Sequence, residues 1–168
     1  EIGAEVEYCF SEIHPEVPDI GCKTGDIVKG NLKKFNEHIA NLAAAYNIKP
    51  HLGDKISNSK KAIILRGYIL DKHPHLIKDF DEKMYETYLI ENLDIGDEYI
   101  LSKVLDDFGI ADNIAVALNN TMANIKYEID RSLTKENYVD SIPTFVVDGR
   151  RLVGAVSQEE LKSFILNE

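Results

Sequence analysis

The spacing of apolar residues changes along the chain. Residues 4–13 alternate, with Ala4, Val6, Tyr8 and Phe10 on one side and mostly polar residues on the other. This period of two predicts a strand with one buried face. Pro15 ends it, because a proline cannot extend a ladder of hydrogen bonds.

From Asn31 the apolar residues recur at intervals of three and four, which predicts a helix. Asn31 is a suitable N-cap, and Asn47 is a suitable stop. The apolar stripe of this helix consists of Leu32, Phe35, Ile39, Leu42 and Tyr46.

The same period predicts a series of further helices. A second is capped by Ser57 or Asn58 and broken at His73-Pro74. Others are predicted over about 75–92, from Gly96-Asp97 to Gly109, and over about 112–135. A last helix follows Ser157, where Ser-Gln-Glu-Glu has the spacing of a capping box.

Between the last two helices the pattern predicts a β-hairpin. Phe145–Val147 and Arg151–Val153 are β-prone runs, and Asp148-Gly149 between them favours a tight turn with positive φ. Pro143 stands just before the first run, where its missing amide costs no ladder bond. We hypothesise a cis Ile142-Pro143 bond whose backbone faces a ligand; the alternative is a trans proline that only opens the strand.

Composition narrows the classes of function. The chain has 168 residues and a formal net charge of −10, with basic residues only in short pairs such as Lys33-Lys34. Because phosphate binding needs a clustered basic face, we expect no nucleic-acid partner. No apolar run reaches the roughly 18 residues of a membrane span, and no signal peptide is visible, so we expect no membrane partner and a cytoplasmic location.

The spacings of the cysteines and histidines match neither a metal-binding motif nor a CxxC motif, so we predict no metal site. We expect Cys9 to be a half-buried thiol in the first strand and Cys22 to be an exposed one, with a disulfide between them as the alternative. His73 and His75 flank a proline at a helix break, where we expect solvent-facing side chains.

The predicted sheet is incomplete. Three strands and one covering helix leave one face and one edge of the sheet open. The sequence starts at Glu1 without methionine and enters a strand almost at once. We therefore expect one strand and one helix to precede it, and the open edge would also permit a homodimer.

Four stretches in this order resemble the DsbA-like thioredoxin-fold oxidoreductases, in particular their FrnE-like branch, which is related to the 2-hydroxychromene-2-carboxylate isomerases. They are Val6–Phe10 with His14-Pro15, Lys49–His51 with Ser57–Ser59, Leu93–Asp97 with Leu101, and Ser141–Gly149 with Gly154-Ala155.

The resemblance implies an α/β protein: a thioredoxin-like fold with an inserted all-helical domain, its first β-α unit absent from this chain. Residues 1–30 and 139–168 would form the two parts of the thioredoxin-like domain, and 31–138 the helical insertion. The family's catalytic CxxC begins the first helix, so no catalytic residue is expected within this sequence.

The implied activity is thiol-disulfide exchange with protein or small-molecule disulfides. The implied substrate-binding residues are Ile142, Pro143 and Thr144, with Asn58 and Ser157 as further candidates; no cofactor is expected. One alternative is a glutathione-dependent isomerase of the hydroxychromene carboxylate type, in which serine replaces the attacking cysteine and Ser157 would meet a glutathione carboxylate. Another is a non-catalytic peptide-binding module.

Overall fold

The computed structural model describes residues 3–27, 31–51 and 53–167. Helices dominate this part of the chain, and the strands are short. The chain divides into two compact units, one formed by Glu1–Ile13 with Glu128–Glu168 and the other by His14–Tyr127. The division falls inside one long helix.

The unit His14–Tyr127 contains the first group of elements. They are β1 (Cys22–Lys23), α1 (Thr24–Ile27), α2 (Leu32–Ala44), β2 (Lys55–Ile56), α3 (Lys60–Lys72), a 3-10 turn (Pro74–Leu76), α4 (Ile77–Leu89), α5 (Glu98–Asp107), α6 (Ile114–Leu118) and the start of α7 (Thr121–Glu136). Strands β1 and β2 pair antiparallel, with Cys22 opposite Ile56. This small pairing was not predicted from the sequence, because two-residue strands carry no periodicity.

Several helix ends follow the predicted signals. The Asn31 side chain accepts a hydrogen bond from the Lys34 amide at 3.1 Å, and Asn47 has a φ of 58° just beyond α2. Asp97 caps α5 in the same way through the Tyr99 amide at 2.8 Å. The side chains of Asn31 and Asp97 thus satisfy amides that the first helical turn leaves without partners.

Two helix predictions differ from the structure in detail. Helix α3 has Ser59 at its N-cap position, but the Ser59 side chain makes no capping hydrogen bond, and the side chain of the predicted Asn58 accepts from the Lys60 amide at 3.0 Å. The stretch predicted as one helix over about 112–135 is two, because Asn119 and Asn120 interrupt it. The Asn120 carboxamide oxygen accepts from the Ala123 amide at 2.9 Å and starts α7 afresh, as asparagine side chains that compete with the backbone do.

The hydrophobic core of this unit lies around α3. Leu65 and Ile69 are completely buried there, together with Phe80 of α4 and Leu101 and Leu105 of α5. Helix α3 packs against α4, α5 and α6. It also carries Gly67, whose missing side chain allows a close approach to Ala123 of α7.

The other unit contains residues 3–13, the end of α7, β3 (Thr144–Val147), β4 (Arg150–Val153) and α8 (Gln158–Leu166). The predicted hairpin is present, with Phe145 opposite Leu152 and Val147 opposite Arg150. Asp148 and Gly149 both have positive φ, as a two-residue turn of this type requires. Ser157 caps α8 through the Glu160 amide at 3.1 Å, as predicted.

The predicted strand over residues 4–13 was wrong. Residues 3–13 contain no strand, and Val6 and Tyr8 are 66% and 65% exposed. The amide of Phe10 donates to the carboxylate of the buried Asp130 at 3.2 Å. This hydrogen bond anchors the segment to α7. Alternation supplies a face for burial, but a strand also needs a neighbouring strand, and the described residues give this segment none.

We predict that Gly67→Ala destabilises the protein although alanine favours helices. The new Cβ would lie 3.1 Å from the Ala123 Cα and carbonyl oxygen, and a helix backbone moves less easily than a side chain. Thermal unfolding followed by far-ultraviolet circular dichroism should show a loss of about 1–2 kcal/mol.

Gly25→Ala is the matched control. The described residues leave the space around its new Cβ open. It should leave stability unchanged or raise it by up to about 1 kcal/mol. Equal effects at both glycines would contradict the close packing of α3 on α7.

Candidate substrate-binding loop

The segment before β3 is held at several points within its unit. The Thr144 hydroxyl donates to the Ser141 carbonyl at 2.6 Å, and the Gly154 amide donates to the Pro143 carbonyl at 2.8 Å. The Arg151 guanidinium, reaching from β4, donates to the carbonyl of Tyr138. The hairpin therefore fixes the path of the loop that precedes it.

The loop presents Ile142 and Pro143 to solvent. The Ile142-Pro143 peptide bond is cis, and the Ile142 side chain is 69% exposed. Thr144 is half-buried, because its hydroxyl turns back into the loop. The structure thus brings Ile142, Pro143 and Thr144 together at the start of β3. The exposed side chain of Ile142 lies beside loop backbone that a ligand can reach.

Ser157 lies in the same unit, at the N-terminus of α8. Its hydroxyl oxygen is occupied by the Glu160 amide, as in an ordinary N-cap. Arg150 stacks on Phe164 of α8, with 4.9 Å between the guanidinium carbon and the ring centroid, and joins the helix to the hairpin. These contacts account for Ser157 as a capping residue, and a role in ligand binding stays a prediction.

Asn58 lies in the other unit and is buried. Its amide nitrogen donates to the Val17 carbonyl at 2.6 Å, and its carboxamide oxygen accepts from the Lys60 amide at 3.0 Å. Both ends of the side chain are used to hold the segment before α1 against the start of α3. The structure therefore gives Asn58 a structural role, and contact with a substrate remains only a prediction.

A comparison with protein families gives a match over nearly the whole chain. A protein-family model described as a DSBA-like thioredoxin domain matches residues 2–166. The chain belongs to the DSBA-like thioredoxin family. Proteins of this family are typically thiol-disulfide oxidoreductases. No curated protein has a significantly similar sequence.

The chain contains two cysteines. The sequence places Cys9 and Cys22 thirteen residues apart, with no CxxC. Both are thiols, but Cys9 is exposed and Cys22 is half-buried, the reverse of the prediction. Cys9 is exposed because its segment forms no strand, and Cys22 is half-buried because β1 pairs with β2.

A polar cluster close to β1 and β2 was missed by the sequence reasoning. The Lys55 ammonium of β2 contacts the Asp94 carboxylate, and the Gly96 amide donates to that carboxylate at 2.9 Å. Burial alone would raise the pKa of Asp94, but hydrogen bonds from Lys55, Ser57 and Gly96 outweigh it, and the pKa is lowered. In the sequence, the only signal for the role of Asp94 as a hydrogen-bond acceptor is the Asp-x-Gly spacing, which is typical of a turn.

Tyr88 of α4 borders this cluster. Burial raises the pKa of its hydroxyl, a hydrogen bond with the Ser57 backbone opposes the rise, and the nearby Asp94 and Cys22 add to it. Tyr88 therefore stays protonated near neutral pH, and the cluster serves to tie β2 to the segment between α4 and α5.

A second polar cluster surrounds the end of α3. The Tyr68 hydroxyl donates to the Asp112 carboxylate, and burial together with this bond raises the pKa of Tyr68 to about 12. The His73 Nε2 atom lies 4.0 Å from the same carboxylate. His75 is exposed, as predicted, whereas His73 is half-buried, because its ring packs edge-on against Tyr68 at 5.9 Å.

The described residues include neither a metal-binding cluster nor a helix suited to cross a membrane. Across residues 3–27, 31–51 and 53–167, no three His, Cys, Asp or Glu side chains are arranged to hold a metal ion. Within the same ranges, no helix combines the length and apolar character that crossing a membrane requires.

We predict that Asp94→Asn lowers the free energy of unfolding by about 1–2 kcal/mol at pH 7. A carboxyl group whose pKa is lowered by folding contributes stability above its unfolded pKa of about 3.9, and this contribution is lost as the pH falls through the folded value. Urea unfolding of the variant should therefore show less loss of stability below about pH 4 than the parent.

Glu82→Gln is the control for this substitution. Glu82 is 70% exposed and lies 3.8 Å from Lys78 in an i,i+4 pair. Because exposed ion pairs contribute little, stability should change by less than about 0.5 kcal/mol. An Asp94→Asn variant with the same acid profile as the parent would contradict the inferred contacts.

Proposed function

We propose that this protein is a thiol-disulfide oxidoreductase of the DsbA type, FrnE-like branch, acting on protein or small-molecule disulfides. The observation that carries the proposal is the family match over residues 2–166, whose span includes the exposed loop at Ile142-Pro143. The catalytic CxxC is proposed to lie N-terminal to Glu1, since the present sequence contains none.

The proposed role of the loop is to align the substrate. Ile142 and Pro143 are exposed next to an ordered strand, so an extended peptide can run along their backbone as an added strand would. The hydrogen bonds of Thr144, Gly154 and Arg151 hold the loop before any substrate arrives, which lowers the entropy cost of binding.

The proposed chemistry belongs to the cysteine pair. A thiolate attacks one sulfur of the substrate disulfide, and the other substrate sulfur leaves as a thiolate that takes up a proton. The second thiol of the pair, once deprotonated, then attacks the mixed disulfide, which reduces the substrate and oxidises the pair. The reverse sequence of steps oxidises a substrate dithiol.

The proposed domain plan keeps the helical insertion at residues 31–138, with 1–30 and 139–168 as parts of a thioredoxin-like domain. The core around α3 lies entirely within this insertion and supports it. The proposed partners are protein disulfides or glutathione, and the proposed compartment is the cytoplasm.

The isomerase alternative predicts a serine where the oxidoreductase has its first cysteine. The identity of that residue, serine or cysteine, separates the two. Calorimetric titration of reduced glutathione backs it, because the isomerase holds reduced glutathione as a bound cofactor, whereas the oxidoreductase meets glutathione only as a thiol-disulfide exchange partner. A binding module would show neither turnover nor glutathione binding. The capping role of Ser157 gives the isomerase no particular support.

The first test measures insulin reduction by the 168-residue chain and by the natural protein with its upstream sequence. The 168-residue chain should be inactive, and Cys9→Ser and Cys22→Ser should change nothing. Turnover by the 168-residue chain, or an upstream sequence without a cysteine pair, would overturn the proposal.

We predict that Ile142→Ala in the natural protein lowers kcat/KM for a disulfide substrate roughly three- to tenfold. Its side chain is 69% exposed, so this loss should occur without a loss of stability. Val146→Ala removes a similar side chain, 41% exposed, from β3 outside the loop, and it should leave kcat/KM unchanged. Equal losses in both variants would argue against substrate contact at Ile142.

A further inference from the structure

Tyr138 has a backbone conformation that a tyrosine seldom adopts. It follows α7 with a φ of 51°, in the left-handed region. The other non-glycine residues of the described chain with positive φ are all asparagine or aspartate, whose short polar side chains tolerate this region. They are Asn47, Asn92, Asp148 and Asn167. A tyrosine side chain offers no such local compensation, so Tyr138 is the exception among them.

The left-handed conformation arises from the way in which α7 ends. The Val139 amide donates to the Thr134 carbonyl at 2.9 Å, and the Tyr138 amide donates to the Lys135 carbonyl at 3.1 Å. These two bonds form a Schellman motif with Tyr138 at the C′ position, where glycine is favoured because it has no Cβ. A glycine would make the same turn with less strain, so the turn does not explain the tyrosine.

Packing does not explain the tyrosine either. Tyr138 is 78% exposed, so its ring buries little surface within the described part of its unit. Its contact with the hairpin is made by the main chain, since the Tyr138 carbonyl accepts from the Arg151 guanidinium, and any residue at this position has that carbonyl. A residue that strains the backbone without a gain in packing is a candidate for a role in function.

Tyr138 lies at the start of the proposed substrate loop, and the loop is attached to β4 at two points. The Arg151 guanidinium donates to the Tyr138 carbonyl, and the Gly154 amide donates to the Pro143 carbonyl. The backbone of positions 151 and 154 is about 10 Å apart, because a strand rises about 3.3 Å per residue. Ile142, 69% exposed, adjoins the second attachment. An extended segment of about four residues is therefore long enough to contact both exposed side chains.

We propose that Tyr138 is a second substrate-contact residue, whose ring binds an apolar side chain of the polypeptide segment that runs along the loop. This inference rests on the proposed thiol-disulfide activity. Aromatic side chains suit such a contact, because they offer a large apolar surface with few rotatable bonds. Arg151 is the positioning residue, since its charged hydrogen bond holds the main chain of Tyr138 in place. A small disulfide has no such segment and would not reach the ring.

Tyr138→Gly in the natural protein tests the contact, because it removes the ring and the strain but keeps the carbonyl that Arg151 binds. The KM for insulin should rise roughly three- to tenfold with kcat unchanged, as expected when binding is lost equally from the ground and transition states. The KM for hydroxyethyl disulfide should change less than about twofold. The melting temperature should stay the same or rise by about 2 °C, since glycine suits a left-handed position.

Two further variants serve as controls. Tyr138→Phe keeps the apolar ring and should retain the KM of the parent for insulin. Asn47→Gly makes the same kind of change in the other unit, where Asn47 ends α2 with a φ of 58°, and it should leave both substrates unaffected.

The possible failures are distinguishable. A parent without turnover would overturn the proposed function, and this inference with it. An active parent in which Tyr138→Gly leaves the KM for insulin unchanged, or raises the KM for both substrates equally, would overturn the inference alone. A fall in melting temperature for Tyr138→Gly would also overturn it, because the ring would then be a packing residue.

Discussion

The burial of α3 on nearly every side is the constraint on which the unit His14–Tyr127 depends. Ile64, Leu65, Tyr68 and Ile69 are buried on α3, and so is Arg66 between them. A helix covered on all sides needs neighbours on all sides, and α4, α5 and α6 supply them. The removal of these side chains from water is the main favourable contribution to folding of this unit.

The burial of α3 also buries polar side chains, which need hydrogen-bond partners from the neighbouring elements. Arg66 forms two parallel hydrogen bonds to Asp81 of α4, at 2.8 and 2.9 Å, which keeps a buried guanidinium paired. Tyr68 is likewise bonded to Asp112 before α6. Each contact adds direction to the non-directional hydrophobic packing, so the helices are fixed in orientation as well as held together.

The unit that contains the hairpin is organised differently. Its described residues include no buried hydrophobic side chain, and Asp130 is its one buried polar residue. Its order comes from hydrogen bonds, such as those from Phe10 to Asp130 and from Arg151 to Tyr138, and from the stacking of Arg150 on Phe164. The proposed substrate loop is thus held in place by polar contacts and not by a hydrophobic core. This suits a site that must expose its backbone to an extended peptide.

The sequence by itself determined features that depend on neighbours along the chain. The caps at Asn31, Asp97 and Ser157, the break at His73-Pro74 and the turn at Asp148-Gly149 all lie where local hydrogen bonding and φ preferences place them. Pro143 could be placed before β3 for the same reason, since a proline fits the start of a strand.

The tertiary structure alone decided which patterns find partners. Residues 4–13 alternate as a strand does, yet the described chain gives them no neighbouring strand, and Phe10 bonds to Asp130. Asn58 was predicted to cap α3 and was also a candidate for substrate contact; its side chain accepts from the nearby Lys60 amide, as a cap does, and donates to the distant Val17 carbonyl. The alternation and the polar side chain were visible in the sequence, but their partners lie far along the chain or are absent from its described part, and only packing brings such groups together.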